Sequence, residues 1–355
     1  MKEIVLSGIR ATGQLHLGNY YGALSKFVRM QEEGVYDSNF FIADLHALTT
    51  HPDPKILHNN VKSILSEYLA AGLDPEKSTI FVQSDVPEIS EMFLLLNMHV
   101  GIGELMRTAS FKDKARKQLG IKTDNDNDDN IEKEIIGTDS NKRVNAGLLT
   151  YPTLMAVDIL IQHADLVPVG KDQEQHLELT RRFARRFNSV YGVEYFKEPA
   201  NFNFGGNAVK VPGLDGSGKM GKSEGNCIYL LDDEKTLHKK VMRAVTDEGP
   251  KVPNQPMAEP VANLFTLLKI VSAPDVVDHF TEAYNNCSIR YGDLKKQLAE
   301  DILKVTTPIR ERIIGIRNDD AYLSQVVKQG AEKARESASK TLREVREIMG
   351  IKRFF

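Results

Sequence analysis

Apolar positions along this chain follow two rhythms, short continuous runs and longer stretches of helical period, and they alternate through its first two-thirds. Ile4-Val5-Leu6-Ser7-Gly8 predicts a strand running into a glycine turn, and Leu24 to Glu33 the helix that follows it. Asn39-Phe40-Phe41-Ile42-Ala43-Asp44-Leu45-His46 is an apolar run closing on polar groups, the pattern of a buried parallel strand at its carboxyl edge. A helix over Asn59 to Ala71 leads to another strand at Thr79-Ile80-Phe81-Val82-Gln83-Ser84. Sheet-like patterning resumes at Asp165-Leu166-Val167-Pro168-Val169-Gly170, before a helix from Asp172 to Phe187 with Asp172 as its N-cap. Cys227-Ile228-Tyr229-Leu230-Leu231 predicts one more short strand, and from Asp233 helical periods dominate. Strands alternating with helices predict an α/β fold, a Rossmann-like doubly wound parallel sheet over residues 1–228. An all-helical domain is expected over residues 229–355, and no internal repeat is visible.

Residues 119–145 interrupt this order. The run Thr123-Asp124-Asn125-Asp126-Asn127-Asp128-Asp129-Asn130 is polar, acidic and without period, so it reads as a solvated insertion. A calcium loop beginning at Asp124 would need glycine at its sixth position and glutamate at its twelfth; Asp129 and Ile135 stand there, and that reading fails. The insertion changes the charge picture. Residues 124–139 hold seven acids against Lys133, a charge of −6, so a chain with a formal charge of −3 is +3 elsewhere. The tail from Lys333 to Phe355 is basic and helical in pattern, equally a solvated helix face. Two cysteines, Cys227 and Cys287, support neither a disulfide framework nor a cysteine-ligated metal. The opening Met1-Lys2-Glu3 and its early glycine do not make a signal peptide, and no apolar run reaches membrane-spanning length, so a cytoplasmic protein is expected.

Candidate chemistry lies in two separated motifs. Gly8-Ile9-Arg10-Ala11-Thr12-Gly13-Gln14-Leu15-His16-Leu17-Gly18-Asn19 joins the first strand to its helix. There His16 and Asn19 can donate hydrogen bonds to phosphate and ribose oxygens, with Thr12 and backbone N–H groups adding to them and Gly18 allowing close approach. Standing alone, such a segment is equally a helix cap. Far downstream, Lys219-Met220-Gly221-Lys222-Ser223 puts two lysines three residues apart on a glycine-rich loop, where they can reach a phosphate and stabilise negative charge developing on it. Gly216 to Ser223 also satisfies the P-loop pattern letter for letter. A P-loop must follow a strand and open a helix. Here Pro212-Gly213 cuts off the preceding strand and Glu224-Gly225-Asn226 follows, so a mobile lysine loop is preferred, with a solvated surface turn as its plain alternative.

A third stretch, Leu149-Thr150-Tyr151-Pro152-Thr153-Leu154-Met155-Ala156-Val157-Asp158, places Tyr151, Met155 and Asp158 on one helix face. A carboxylate in that apolar wall needs a donor. A bound aromatic ring offering an N–H would supply one; an arginine elsewhere in a core stripe would do as well. On the helix predicted from Asp172, His176 and Glu178 are two apart and so face different ways, which favours hydrogen bonding over metal ligation. Arg181, Arg182, Arg185 and Arg186 make a basic face that either touches nucleic acid or keeps the helix solvated.

Taken together, the two motifs resemble the HIGH and KMSKS signatures of class I aminoacyl-tRNA synthetases. Phe41 to Thr49, Phe111 to Lys114, Asn145 to Leu160 and Val167 to Arg181 narrow the resemblance to the tryptophanyl-tRNA synthetase family. The resemblance implies a ligase that forms tryptophanyl-adenylate from ATP, with Mg²⁺ on the phosphates, and transfers tryptophan to tRNA. It implies a homodimer and an anticodon-reading helical domain. It assigns ATP to Arg10, Thr12, His16, Gly18, Asn19, Gly170, Asp172, Lys219, Met220, Lys222 and Ser223. Catalysis falls to Lys219, Lys222, Lys114 and His16, and the amino acid to Leu6, His46, Tyr151, Met155, Asp158 and Gln173. Asp158 would read the indole nitrogen. The sequence departs from the family at Leu6 (often phenylalanine), Arg10 (usually glutamine), Ser110 (usually glutamine) and Gly221 (usually serine). A tyrosyl-specific relative, a P-loop NTPase and a non-catalytic RNA-binding paralogue are the rival readings.

Overall fold

The computed structural model describes residues 2–120, 144–170, 173–202, 210–352 and 354 of the 355-residue chain. Most of the acidic insertion, and Asp172, lie outside the described residues. Five parallel strands form one sheet: β1 (Ile4–Arg10), β2 (Asp37–Ala43), β3 (Thr79–Val82), β4 (Leu166–Val167) and β5 (Ala200–Asn201), in the order β3-β2-β1-β4-β5. This is the doubly wound order, in which the connections reverse direction beside β1 and leave a crevice at the carboxyl ends of β1 and β4.

Alternation along the strands builds a core on each face. Val5, Phe40 and Ile80 point to one side, where Phe27 stacks on Phe40 at 4.5 Å and the Tyr68 hydroxyl donates to Phe41 O. Leu6, Phe41 and Phe81 point to the other, against Ala156, Leu160 and Phe183. The register of β1 against β4 is pinned at one corner, where Ile4 N–H donates to the Asp165 carboxylate and Asp165 N–H to Ile4 O. Several boundaries differ from expectation. The helix after β1 starts early, at Leu17–Asn19, and passes through a π-helical turn at Tyr20–Leu24 before Ser25–Glu33. The segment Cys227 to Leu231 joins no sheet. Tyr229 makes a single antiparallel bridge to His16, flanked by Leu17 N–H to Ile228 O and Leu230 N–H to Leu15 O. The Asp232 carboxylate then caps Tyr229 N–H and ends the extended run.

Five helices, Glu234–Met242, Glu259–Val271, Pro274–Asn285, Tyr291–Arg317 and Asp320–Ile348, make up the C-terminal region. Their apolar side chains continue the core below β1, so Leu294, Leu298 and Phe265 share one cluster with Val5 and Phe27. The last helix, 29 residues long, turns back and lies against β3, the edge strand.

Candidate active site

The turn leaving β1 is shaped by reciprocal caps. His16 Nδ1 accepts from Asn19 N–H at 3.3 Å, while Asn19 Oδ1 accepts from His16 N–H at 3.2 Å. With Nδ1 an acceptor, the imidazole proton belongs on Nε2, free to be given to a phosphate oxygen. Burial, then the positive charges of Lys222 and Lys219, hold the His16 pKa down at about 4, so the ring is neutral at physiological pH. Gly18 is required here, because a Cβ would lie 2.8 Å from the His16 ring.

The lysine loop closes onto this turn. Lys222 Nζ donates to Gly13 O at 2.9 Å and reaches Thr12 O at 3.4 Å, and its burial lowers its pKa. Met220 is buried, its N–H donating to Val211 O, whereas Lys219 is exposed with its charge felt at His16. Ser223, also exposed, donates to Glu224. Lys222–Glu224 is a single 3₁₀ turn ended by Gly225 at φ 68°, not the helix start a P-loop needs. Asn226 fastens the loop: its Oδ1 accepts Gly221 N–H, and its Nδ2 donates to Asp215, Ser217 Oγ and Lys219 O.

Beside the turn, at the strand ends, opens a cavity of about 320 Å³. Its walls include Leu6, Arg10, His46, Lys114, Tyr151, Met155, Asp158, Gly170 and Gln173, all anticipated from sequence. Tyr151, Met155 and Asp158 come from one face of the helix Ala146–Ile161. Asp158 is 3% exposed and, among the described residues, meets neither an arginine nor an apolar wall alone. Both of its oxygens accept from Gln83 Nε2, at 2.8 and 2.9 Å, and Oδ2 lies 2.9 Å from His46 Nε2. Burial pushes the Asp158 pKa up, against the opposing pull of His46 and Gln83. Lys114 Nζ sits 3.9 Å above the Tyr151 ring. The Tyr151 hydroxyl donates to Ser110 Oγ at 2.6 Å and lies 2.8 Å from His176 Nε2, so His176 is a core hydrogen-bonding group. Arg10 Nη2 donates to His46 O and Thr49 Oγ1, leaving its buried Nε without a partner.

Thr12, His16, Gly18, Asn19, Lys219, Met220, Lys222 and Ser223 lie outside the cavity lining, on the adjoining turn and loop. The arginines of the helix Glu174–Tyr191 are largely answered by local acids: Glu178, Glu198 and Glu104 pair with Arg181, Arg182, Arg185 and Arg186. Sequence reasoning missed Gln83 and Asn226 as site residues. Gln83 carried a usable signal, a polar group closing an apolar strand, as at Asp44 and His46. A larger cleft of about 1050 Å³, between Glu88 or Glu91 and the last helix, lies away from the strand ends.

Residues 2–306 match the family described as tRNA synthetases class I (W and Y). The chain is 60% identical over 350 residues to a tryptophan–tRNA ligase of Porphyromonas gingivalis, covering 99% of this chain and 100% of the relative. It is 41% identical over 355 residues to that of Rickettsia bellii, with 99% of each covered. Among solved structures, the tryptophanyl-tRNA synthetase of Campylobacter jejuni complexed with ADP and tryptophan superposes with a TM-score of 0.80 at 31% identity, covering 98% and 99% of the two chains.

Proposed function

We propose, from the premise that this chain belongs to the class I tRNA synthetases of the tryptophan and tyrosine group, a division of labour among its residues. The chain activates tryptophan with ATP to the adenylate and transfers it to tRNA. In the first step the tryptophan carboxylate attacks the α-phosphorus and pyrophosphate leaves; in the second a terminal ribose hydroxyl of tRNA attacks the acyl carbon of the adenylate, the acyl–phosphate bond breaks and AMP leaves, taking up the hydroxyl proton. The carboxylate is already ionised, so positioning and charge stabilisation carry the first step. The indole ring enters the cavity between Leu6 and Met155 and gives its N–H to Asp158. Tyr151, His46 and Gln173 hold the amino acid, His46 from beside Asp158, and Arg10, with a buried Nε unspent, faces the incoming carboxylate or α-phosphate.

MgATP binds along the turn, with Mg²⁺ held by phosphate oxygens and water. His16 Nε2–H, Asn19, Thr12 and the backbone around Gly18 meet its phosphates and ribose, next to Gly170, Met220 and Ser223; the ribose role expected of Asp172 falls outside the described residues. Lys222 leaves Gly13 O for the leaving phosphates, joined by Lys219 and Lys114. The observation that carries this reading is the docking of Lys222 Nζ on Gly13 O, which brings the lysine loop onto the turn whose strand lines the cavity.

The acting unit is a cytoplasmic homodimer, with residues 1–228 catalytic and 229–355 reading the anticodon. Exposed Leu94, Met98 and Ile102, at and just beyond the end of the helix Glu88–Asn97, are apolar side chains a second copy could cover. Tryptophan-dependent exchange of pyrophosphate into ATP tests the proposal, with tyrosine and phenylalanine as controls. Exchange is expected with tryptophan, and Lys222→Ala is expected to lower kcat on the order of a hundredfold or more at an unchanged KM for tryptophan. Exchange with tyrosine instead would overturn the role of Asp158; an unchanged rate in Lys222→Ala would overturn that of the loop.

A further inference from the structure

The helix Pro54–Ala71 buries a carboxyl that neither step uses. Glu67 has no exposed surface, yet it points at the turn from below: Leu15 N–H lies 3.1 Å from Oε2 and 3.2 Å from Oε1. Ser63 Oγ, one helical turn back, is 3.5 Å from Oε1. Leu15 immediately precedes His16, and its carbonyl accepts Leu230 N–H from the far side of the lysine loop. The charged groups facing Glu67 are Lys222, from that loop, and Arg317, at the end of the helix packed along Pro54–Ala71. Tyr68 is its titratable neighbour on its own helix. Helix packing alone would be served as well by leucine among Ile64, Leu65 and Leu69. A buried carboxyl costs free energy unless its partners compensate, and here the hydrogen-bonded partner outside its own helix is the turn, the lysine loop adding only the charge of Lys222.

We propose that Glu67 is a positioning residue for ATP: it anchors Leu15 N–H so that the neighbouring His16 presents Nε2–H, and when ionised it holds Lys222 on the turn in competition with phosphate. The inference rests on the ATP-dependent reading above. Burial outweighs Leu15, Lys222, Arg317 and Ser63 and raises the Glu67 pKa from 4.5 to about 8. A raised folded-state pKa contributes stability that is fully present below the unfolded value and lost as pH rises through the folded one. Near neutrality Glu67 is mostly protonated and pulls little on Lys222, whose hydrogen bonds are to Gly13 O and Thr12 O; in mildly alkaline solution its charge adds to that hold, and ATP binds less well.

The test is the KM for ATP in tryptophan-dependent exchange from about pH 6 to about pH 9, in the wild type, Glu67→Gln and Glu67→Leu. Wild type is expected to show a KM for ATP that climbs across the alkaline half of the range. Glu67→Gln, which keeps an acceptor for Leu15 N–H but cannot ionise, is expected to match wild type at the acid end and to stay flat. Glu67→Leu, which loses the acceptor, is expected to raise the KM for ATP about tenfold at every pH, leaving that for tryptophan within about twofold. An alkaline rise surviving in Glu67→Gln, or an unaltered KM for ATP in Glu67→Leu, overturns the inference. Should Glu67→Leu not fold, the Glu67→Gln profile decides alone. If wild type exchanges with none of the amino acids, the synthetase reading falls, and calorimetric ATP affinities of wild type and Glu67→Gln over the same range decide the role of Glu67 separately.

Discussion

Asp158 shows how a single side chain is prepared for its ligand. An ionised carboxylate offers about four acceptor positions, and Gln83 and His46 occupy three contacts among them, two on Oδ2 and one on Oδ1. Those partners fix the carboxylate while leaving acceptor capacity for an indole N–H. Asp158→Asn keeps the shape, removes the charge and turns a donor toward one of the existing donors. Its kcat/KM for tryptophan should fall about a hundredfold, corresponding to about 2–3 kcal/mol for a hydrogen bond to a charged group. Thermal stability should change little, the loss of a buried charge offsetting the new donor–donor contact. A fall in kcat/KM matched by an equal loss of stability would mean that Asp158 is merely structural. The residue was legible because a carboxylate interrupts an apolar helix face, Met155 and Tyr151 lying one and two turns before it. Gln83 was only half legible: a polar residue closing an apolar strand marks the strand end, but reads the same whether it meets solvent or a buried acid. His176 was legible only as something other than a metal ligand; its bond to Tyr151 joins residues 25 apart and exists only after folding.

At the scale of elements, the lysine loop owes its shape to contacts more than to propensity. Between Gly213 and Gly225 it has little regular structure beyond one 3₁₀ turn, and Asn226 supplies what a helix or strand would otherwise supply. Gly213 belongs to the same arrangement, because a Cβ there would fall 2.1 Å from Asn226 Nδ2. Asn226→Ala removes the bonds to Gly221 N–H, Asp215, Ser217 and Lys219 O together. The expected result is a KM for ATP raised about tenfold with the KM for tryptophan unchanged, measured by the same exchange assay. Equal increases in both would show that the loop and the cavity are not separable. The main strands could be read from apolar runs bounded by glycine or polar groups. The helix start at Leu17 could be read from the cap at His16 and Asn19, but its unbroken run through Gly22 could not, since Gly18 and Gly22 argue against helix by propensity and tertiary contacts override them. For the same reason the apolar stretch after Cys227 read as a strand: its extended backbone is real, but its partner is the turn at His16.

For the molecule as a whole, the decisive feature is the return of the last helix to the sheet. Periodicity made that helix legible; where it docks depends on a single approach distance. Gly330 comes so near β3 that a Cβ would stand 1.8 Å from Ile80 O and 3.2 Å from Ile80 N. Around it Gln162 Nε2 donates to Ala334 O, Arg335 meets Glu88, and Arg346 pairs with Glu91. The helix thereby covers an edge strand that would otherwise offer unpaired backbone groups. In an exposed helix, glycine to alanine would add about 1 kcal/mol of stability. At Gly330 the clash is with backbone, which cannot swing aside, so overpacking dominates and Gly330→Ala should cost about 3 kcal/mol. The consequence reaches the cavity. β3 runs from Thr79 to Val82, and Gln83 follows at once. Pushing Ile80 inward or letting the helix lift away displaces the donor that holds both oxygens of Asp158. Gly330→Ala should therefore lower the urea midpoint and raise the KM for tryptophan, although residue 330 does not line the cavity. A lowered midpoint with an unaltered KM would show that β3 yields without carrying Gln83 with it, and would confine the last helix to stability.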